Sequence, residues 1–324
     1  MRLHKVFKTL SVSLAVLTLT AGVAQAQVAS GVPLRIIVPY AAGGLADITA
    51  RLIAEPLGTR LNQSVVVENK PGANGSIGAA QVAKATPDGN TIALVVSSHA
   101  FGKALMPTLP YDPVKDFAPV TLATRTAMVL VAAPSLPVKD VPELVAYAKQ
   151  HPNELSFASA GQGSNVHIFG QWFADMAGLK MNHVPYKGSA AAHPDLMAGR
   201  TQIVFDTLGA VQPNIASGRM KLLAAGAQRL PQYPNVPTVA EAGYPGFRAE
   251  SWGAVLAPAG TPPARIRQLN KEIVAALNTP AIKKRLEDAG AQVVGSSPEE
   301  LGTLLAEEEK RFTTLIRDMN IKLD

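Results

Sequence analysis

The sequence predicts an α/β protein of two lobes, and three observations predict it. Short apolar, β-branched runs alternate with segments of helical periodicity, the pattern of a parallel sheet wound with helices. Removing a cleavable leader of 26 residues from the 324 would leave 298, more than one core usually supports. A strand that ends in a glycine turn and runs straight into a helix occurs twice, at residues 34–57 and again at 155–176.

Residues 34–38 read as a buried strand closed by Pro39. Ala41-Ala42-Gly43-Gly44 is the turn, and Ile48, Leu52, Ile53 and Leu57 mark the buried face of a helix. Strands are expected at 64–68 and 91–96, with a small-residue helix at 77–85 between them. Proline density then rises through 109–119, read as irregular surface, before an apolar strand at 127–133. Asp140 caps a helix at 141–150 with Glu143 three residues on.

The second copy of the device is a strand at 155–158, then Ser159-Ala160-Gly161-Gln162-Gly163-Ser164, then a helix with Val166, Phe169, Phe173 and Met176 on one face. A helix near 189–199 carries Pro194, which should kink or shorten it. Strands at 182–185, 201–205, 221–225 and 252–257 and a helix at 211–217 complete the set. The tail is helical, its last helix opening on a capping box at Ser297 and Glu300, with Glu307-Glu-Glu309 as its solvated face.

The first 26 residues read as an export signal: Arg2, Lys5 and Lys8, an apolar core at 10–22, and Ala24-Gln25-Ala26 before the cut. The core is too short for a membrane span. The formal charge of +6 falls to +3 without those cations, with Lys and Arg scattered, so nucleic acid is not an expected partner. There is no cysteine, which excludes disulfides, thiolate nucleophiles and Cys-zinc sites. The six histidines, at 4, 99, 151, 167, 183 and 193, have no helical ligand spacing, and no metal or other cofactor is expected.

What remains is anion binding. A glycine turn opening a helix leaves backbone N–H groups unpaired, with the helix dipole behind them. If the turns at 43–44 and 161–163 face one another, two helix starts converge on one small anion, with the hydroxyls of Ser98, Ser159 and Ser164 as further donors. Asp47 has two readings: a first-turn acid complementing the dipole, or a cleft residue that receives a ligand amine, hydroxyl or water. Ser164 and His167, three apart at a helix start, permit a different reading as a hydrolytic pair, although the flanking residues lack the G-x-S-x-G elbow.

Several stretches together resemble the Bug family, the periplasmic substrate-binding proteins of tripartite tricarboxylate transporters. They are Val38-Pro-Tyr-Ala-Ala-Gly-Gly-Leu-Ala-Asp47, Val67-Glu-Asn-Lys-Pro-Gly-Ala73, Thr86-Pro-Asp-Gly89, Leu109-Pro-Tyr-Asp-Pro-Val-Lys-Asp-Phe-Ala-Pro119, His183-Val-Pro-Tyr-Lys-Gly188, Pro237-Thr-Val-Ala-Glu-Ala-Gly243 and Ala257-Pro-Ala-Gly-Thr-Pro262. The resemblance spans essentially the whole chain after the leader. It implies a fold like the type II periplasmic binding proteins, two α/β lobes with a ligand cleft between them. It places lobe one at 27–127 and 250–324 and lobe two at 128–249.

The resemblance further implies a non-enzymatic, monomeric receptor for a small carboxylate, exported to the periplasm and recognised by a membrane permease or a sensor domain. Its ligand-binding residues would be Tyr40, Ala42, Gly43, Gly44 and Asp47 in the first loop. Ser159, Ala160, Gly161, Gly163, Ser164 and His167 would form the second, with Ser98 and Asp206 at other cleft positions. Three features depart from the family's pattern: the apolar Leu45-Ala46, the His193-Pro194 pair inside a helix, and Lys103. The first points to a ligand less polar than a simple tricarboxylate.

Overall fold

A computed structural model describes residues 31–321; the export signal read at 1–26 lies outside them. In chain order the elements are β1 (Leu34–Val38), α1 (Leu45–Leu61), β2 (Val65–Asn69), α2 (Ser76–Ala83), β3 (Thr91–Val96), α3 (Gly102–Leu105) and β4 (Phe117–Ala132). Then come α4 (Val141–Gln150), β5 (Ser156–Ser159), α5 (Asn165–Ala177), β6 (Asn182–Pro185), α6 (Ser189–Met197), β7 (Ile203–Thr207), α7 (Leu208–Ala216) and β8 (Lys221–Ala225). The chain closes with β9 (Glu250–Pro258), α8 (Pro263–Leu277), α9 (Pro280–Asp288), β10 (Ala291–Val293) and α10 (Pro298–Asp318).

The strands run in the order β2-β1-β3-β9-β4-β7-β5-β6, with β8 and β10 also on β4. β1 pairs β2 and β3 in parallel, and β5 pairs β6 and β7 in parallel. Between these two parallel sets stands β4, which is shared. From Phe117 to Ala127 it pairs antiparallel with β9, ending at Ala127 opposite Glu250. From Met128 to Ala132 it pairs with β7 and β8. One strand therefore carries both lobes. It is 16 residues long, so its first ten, expected as irregular surface or left unassigned, are strand. Pro119 is accommodated at a register shift between Pro119 and Thr121.

The cores follow this division. Leu34, Ile36, Val38 and Ile53 pack with Leu269 and Ile273 on one face of the β1–β3 sheet, and Ile37, Val95 and Trp252 pack with Leu301 and Leu305 on the other. A larger core joins β4's second half to Phe157, Phe169, Phe173 and Phe205. The last helix bridges them, because Phe312 and Ile316 lie in this second core. Its acidic run is not wholly solvated: Glu308 is buried and pairs at 3.2 Å with Arg311, which sits over the rings of Trp172 and Phe312.

Two local expectations change. α6 runs unbroken through Pro194, which only denies the Ala190 carbonyl its helical partner. The tail also holds α9 and β10 between its two long helices.

The second passage between lobes is pinned by Gly226. Its N–H donates to the Met128 carbonyl at 2.7 Å, and its carbonyl accepts from Ala249 at 2.9 Å. A Cβ here would lie 2.4 Å from the Ala249 carbonyl oxygen and 2.8 Å from that of Met128, both immobile backbone. Gly226→Ala is expected to lower unfolding free energy by about 1–3 kcal/mol, as overpacking does, and urea denaturation measures it.

Candidate functional site

A cavity of about 430 Å³ lies between the lobes. Four helices begin on it: α1 with Gly44 and Leu45, α5 with Asn165 and Val166, α6 with Ser189 and Ala190, and α7 with Gly209 and Ala210. Three of these starts, those of α1, α6 and α7, have no side-chain hydrogen bond at the N-cap. Their first N–H groups have no partner within the helix. Among the described residues, no lysine or arginine lines the cavity. Leu45, Ile48, Leu94, Val96 and Val166 supply an apolar wall, and Thr124, Thr126, Thr207 and Ser251 supply hydroxyls.

Of the residues expected from sequence, Tyr40, Gly43, Gly44, Asp47, Ala160 and Asp206 line this cavity. Tyr40 anchors the first loop: its hydroxyl accepts from the Val96 N–H at 3.2 Å, its ring leaves no room for a Cβ on Gly75, and burial raises its pKa. Asp47 is a brace as well as a lining residue. It accepts from the Gly43 N–H at 2.9 Å, from Arg51 Nε at 3.0 Å and from Asn69 Nδ2 at 2.9 Å. Burial pushes this carboxyl up, and the bonds from Arg51, Gly43 and Asn69 outweigh it and hold it below the usual range. Asn69 also donates to the Tyr40 carbonyl, so the stretch 67–73 supports the first loop.

Asp206 is buried at the end of β7. It accepts from the Thr207 N–H at 2.7 Å and contacts His193 Nε2 at 2.8 Å.

The other expected residues stand outside the lining. Ala42 is exposed on the loop. Ser98 borders a smaller cavity with Tyr40 and Tyr111. Ser159, Gly161, Gly163, Ser164 and His167 form a hydrogen-bonded turn beneath Ala160 and Asn165. Ser159 Oγ accepts from the Gly161 N–H at 3.1 Å and lies 2.6 Å from His183 Nε2. Ser164 donates to the Gly161 carbonyl at 2.7 Å and caps α5 by accepting from the His167 N–H. His167 Nδ1 accepts from the Gly163 N–H at 3.1 Å. The two groups of the hydrolytic reading are thus engaged with the turn's own backbone, not with each other.

Sequence reasoning missed the starts of α6 and α7. The signal was there in weaker form, as strand, Gly188, helix and as strand, Thr207, helix. It also missed Asn165, whose Nδ2 donates to Ser251 Oγ at 3.0 Å across the lobes. Beside it, Ser251 Oγ and Ser97 Oγ are 3.2 Å apart. At the rim Asn74, in a left-handed conformation, donates to the Gly163 carbonyl at 2.7 Å. These bonds tie the lobes together around the cavity.

The family model described as "Tripartite tricarboxylate transporter family receptor" matches residues 49–321. The chain belongs to this family. Among curated members it is 38% identical over 294 residues to Protein BugT of Bordetella pertussis, covering 90% of each chain. Among solved structures it is similar to Rpa4515 of R. palustris with adipate, at 35% identity and a TM-score of 0.81, over 90% of this chain and 98% of that one. It is also similar to MatC of Rhodopseudomonas palustris with bound malate, at 34% identity and a TM-score of 0.80, over 88% of this chain and 98% of that one.

Three buried histidines, two of them under the second loop, are expected to make the fold sensitive to acid. His167 and His183 stack with centroids 3.8 Å apart. Burial lowers His167 to about 4, helped by the charge His183 would carry, and burial lowers His183 to about 4. Burial likewise lowers His99, bonded to the Pro113 carbonyl, to about 4. Each stays neutral when folded but takes a proton near pH 6.5 when unfolded. Their contribution is complete above pH 6.5 and is lost as pH falls toward 4. Melting temperature is expected to drop between pH 6.5 and 4.5, and to drop less in His99→Phe; calorimetry across that range checks both.

Proposed function

We propose that this chain is a periplasmic receptor that captures a small carboxylate between its lobes and delivers it to the membrane permease of a tripartite tricarboxylate transporter. One observation carries the reading: four helices begin on a cavity that no cationic side chain lines. Uncapped N–H groups at three of those starts, α1, α6 and α7, are suited to carboxylate oxygens, and the dipoles behind them favour negative charge. Hydrogen bonds to a charged group contribute about 1.5–3 kcal/mol each. Four such bonds therefore give roughly 6–12 kcal/mol against association costs of about 4–15, and apolar burial on Leu45, Ile48 and Leu94 adds to them. The adipate and malate held by the two solved relatives are acids of this kind.

The reading includes binding without turnover, since Ser164 and His167 are occupied within their turn. It takes 27–127 with 250–324 as one lobe and 128–249 as the other, because β4 changes partners between Ala127 and Met128. It also takes the leader as cleaved after Ala26 and the mature protein as a monomer.

Two measurements test it. Protein refolded free of ligand is melted against acids and their amides: adipate, malate, citrate, adipamide and malamide. A bound acid at a hundred times its dissociation constant stabilises by about 2.7 kcal/mol. The expected result is a shift with adipate or malate that the matching amide does not produce; equal shifts with acid and amide sink the anion site. Intact mass of the protein recovered from a periplasmic extract is expected to begin at Gln27, and retention of the first 26 residues contradicts the export reading.

A further inference from the structure

At one place the lobes meet backbone to backbone through a glycine from each side. Gly209, in the first turn of α7, lies against Ala289 and Gly290, the link between α9 and β10. A Cβ on Gly209 would stand 2.1 Å from the Ala289 carbonyl oxygen, 2.7 Å from its carbon and 3.1 Å from the Gly290 Cα. A Cβ on Gly290 would stand 2.6 Å from both the Cα and the nitrogen of Gly209. All of these neighbours are backbone, so neither side can yield by turning a rotamer.

The contact forms a wall. Gly209 and Ala289 line the ligand cavity, and Leu208 and Gly290 line a second cavity of about 480 Å³ on its other side. It also lies close to the pivot. Ala291, next to Gly290, pairs with Thr126 of β4, one residue before the strand's pairing with β9 ends at Ala127. The same two lobes are tied elsewhere by the bond from Asn74 to the Gly163 carbonyl.

We infer that Gly209 and Gly290 are positioning residues for ligand capture: their lack of side chains lets the lobes close far enough to complete the cavity. This rests on the receptor reading. An added Cβ acts as a wedge. Ordinary contact begins at 3.4 Å, so the start of α7 must retreat by about 1.3 Å from the Ala289 carbonyl oxygen. Gly209 has no positive φ, so alanine suits its backbone. Gly290 has φ +79°, which asparagine tolerates better than other side chains. Gly209→Ala and Gly290→Asn thus place the same wedge from opposite lobes.

The chain has no cysteine, so a spin-label pair is introduced cleanly. Ile77→Cys and Gln162→Cys, both exposed, lie on the two sides of the rim. Distances are measured by double electron–electron resonance on the labelled protein and on both variants, alone and with adipate or malate, with affinity by calorimetry and folding by circular dichroism.

The expected result is a short-distance population in the labelled protein that both folded variants lack. Apparent affinity falls by the factor by which the closed fraction falls, about tenfold or more. If both variants fold and close like the reference, or bind the probe with unchanged affinity, the inference is overturned. If the reference binds a probe with no short-distance population, closure fails while the receptor reading stands. If neither probe binds, the ligand-free distributions decide: a short population lost in both variants supports the inference, and identical distributions overturn it.

Discussion

An unpaired backbone N–H in a closed space costs free energy until something accepts from it. In this protein that cost is concentrated in one cavity, where α1, α6 and α7 begin without a side-chain cap and the capped α5 begins beside them. Parallel strands make the concentration geometrically natural, since each βα turn delivers a helix start to the same edge of its sheet. Two such edges facing one another put four starts within reach of one small molecule. The brace on Asp47 and the cap on Ser164 then have a common purpose. Each holds a turn in shape through local hydrogen bonds, and the remaining donors stay free.

That arrangement depends on β4. Because one strand pairs with β9 along its first part and with β7 and β8 along its last, the two edges face each other through a single element. The second passage, pinned by Gly226 to Met128 and Ala249, runs beside it. The contacts between the two sides of the cavity include Asn165 with Ser251, Asn74 with Gly163, and the bare backbone at Gly209 and Gly290.

Much of this was legible in the residues. The alternation of short apolar runs with helical periodicity showed the α/β class, and the paired glycines at 43–44 and 161–163 marked the starts of α1 and α5. Less visible were the starts of α6 and α7, because Gly188 and Thr207 stand alone, without the neighbouring glycines that mark the other two turns. The local engagement of the hydroxyls was not legible, for a physical reason. Ser159 and Ser164 have acceptors and donors within a few residues, and a local partner competes with a ligand in a way that spacing does not reveal. The length of β4 was hidden by Thr121, Thr124, Arg125 and Thr126, polar residues whose partners come from far along the chain, such as Ser296 for Thr121 and Glu250 for Arg125.

The position of β9 has a consequence for the order of assembly. It lies between β3 and β4 in the middle of the sheet, yet it is made of residues 250–258, synthesised after the whole of the β5–β8 lobe. Until it emerges, β3 and β4 have no neighbour to join them, and the first hundred residues cannot complete their own sheet. Such long-range pairing delays folding relative to synthesis. The late central strand thus acts as a timer: the fold cannot lock before nearly all of the polypeptide has been made.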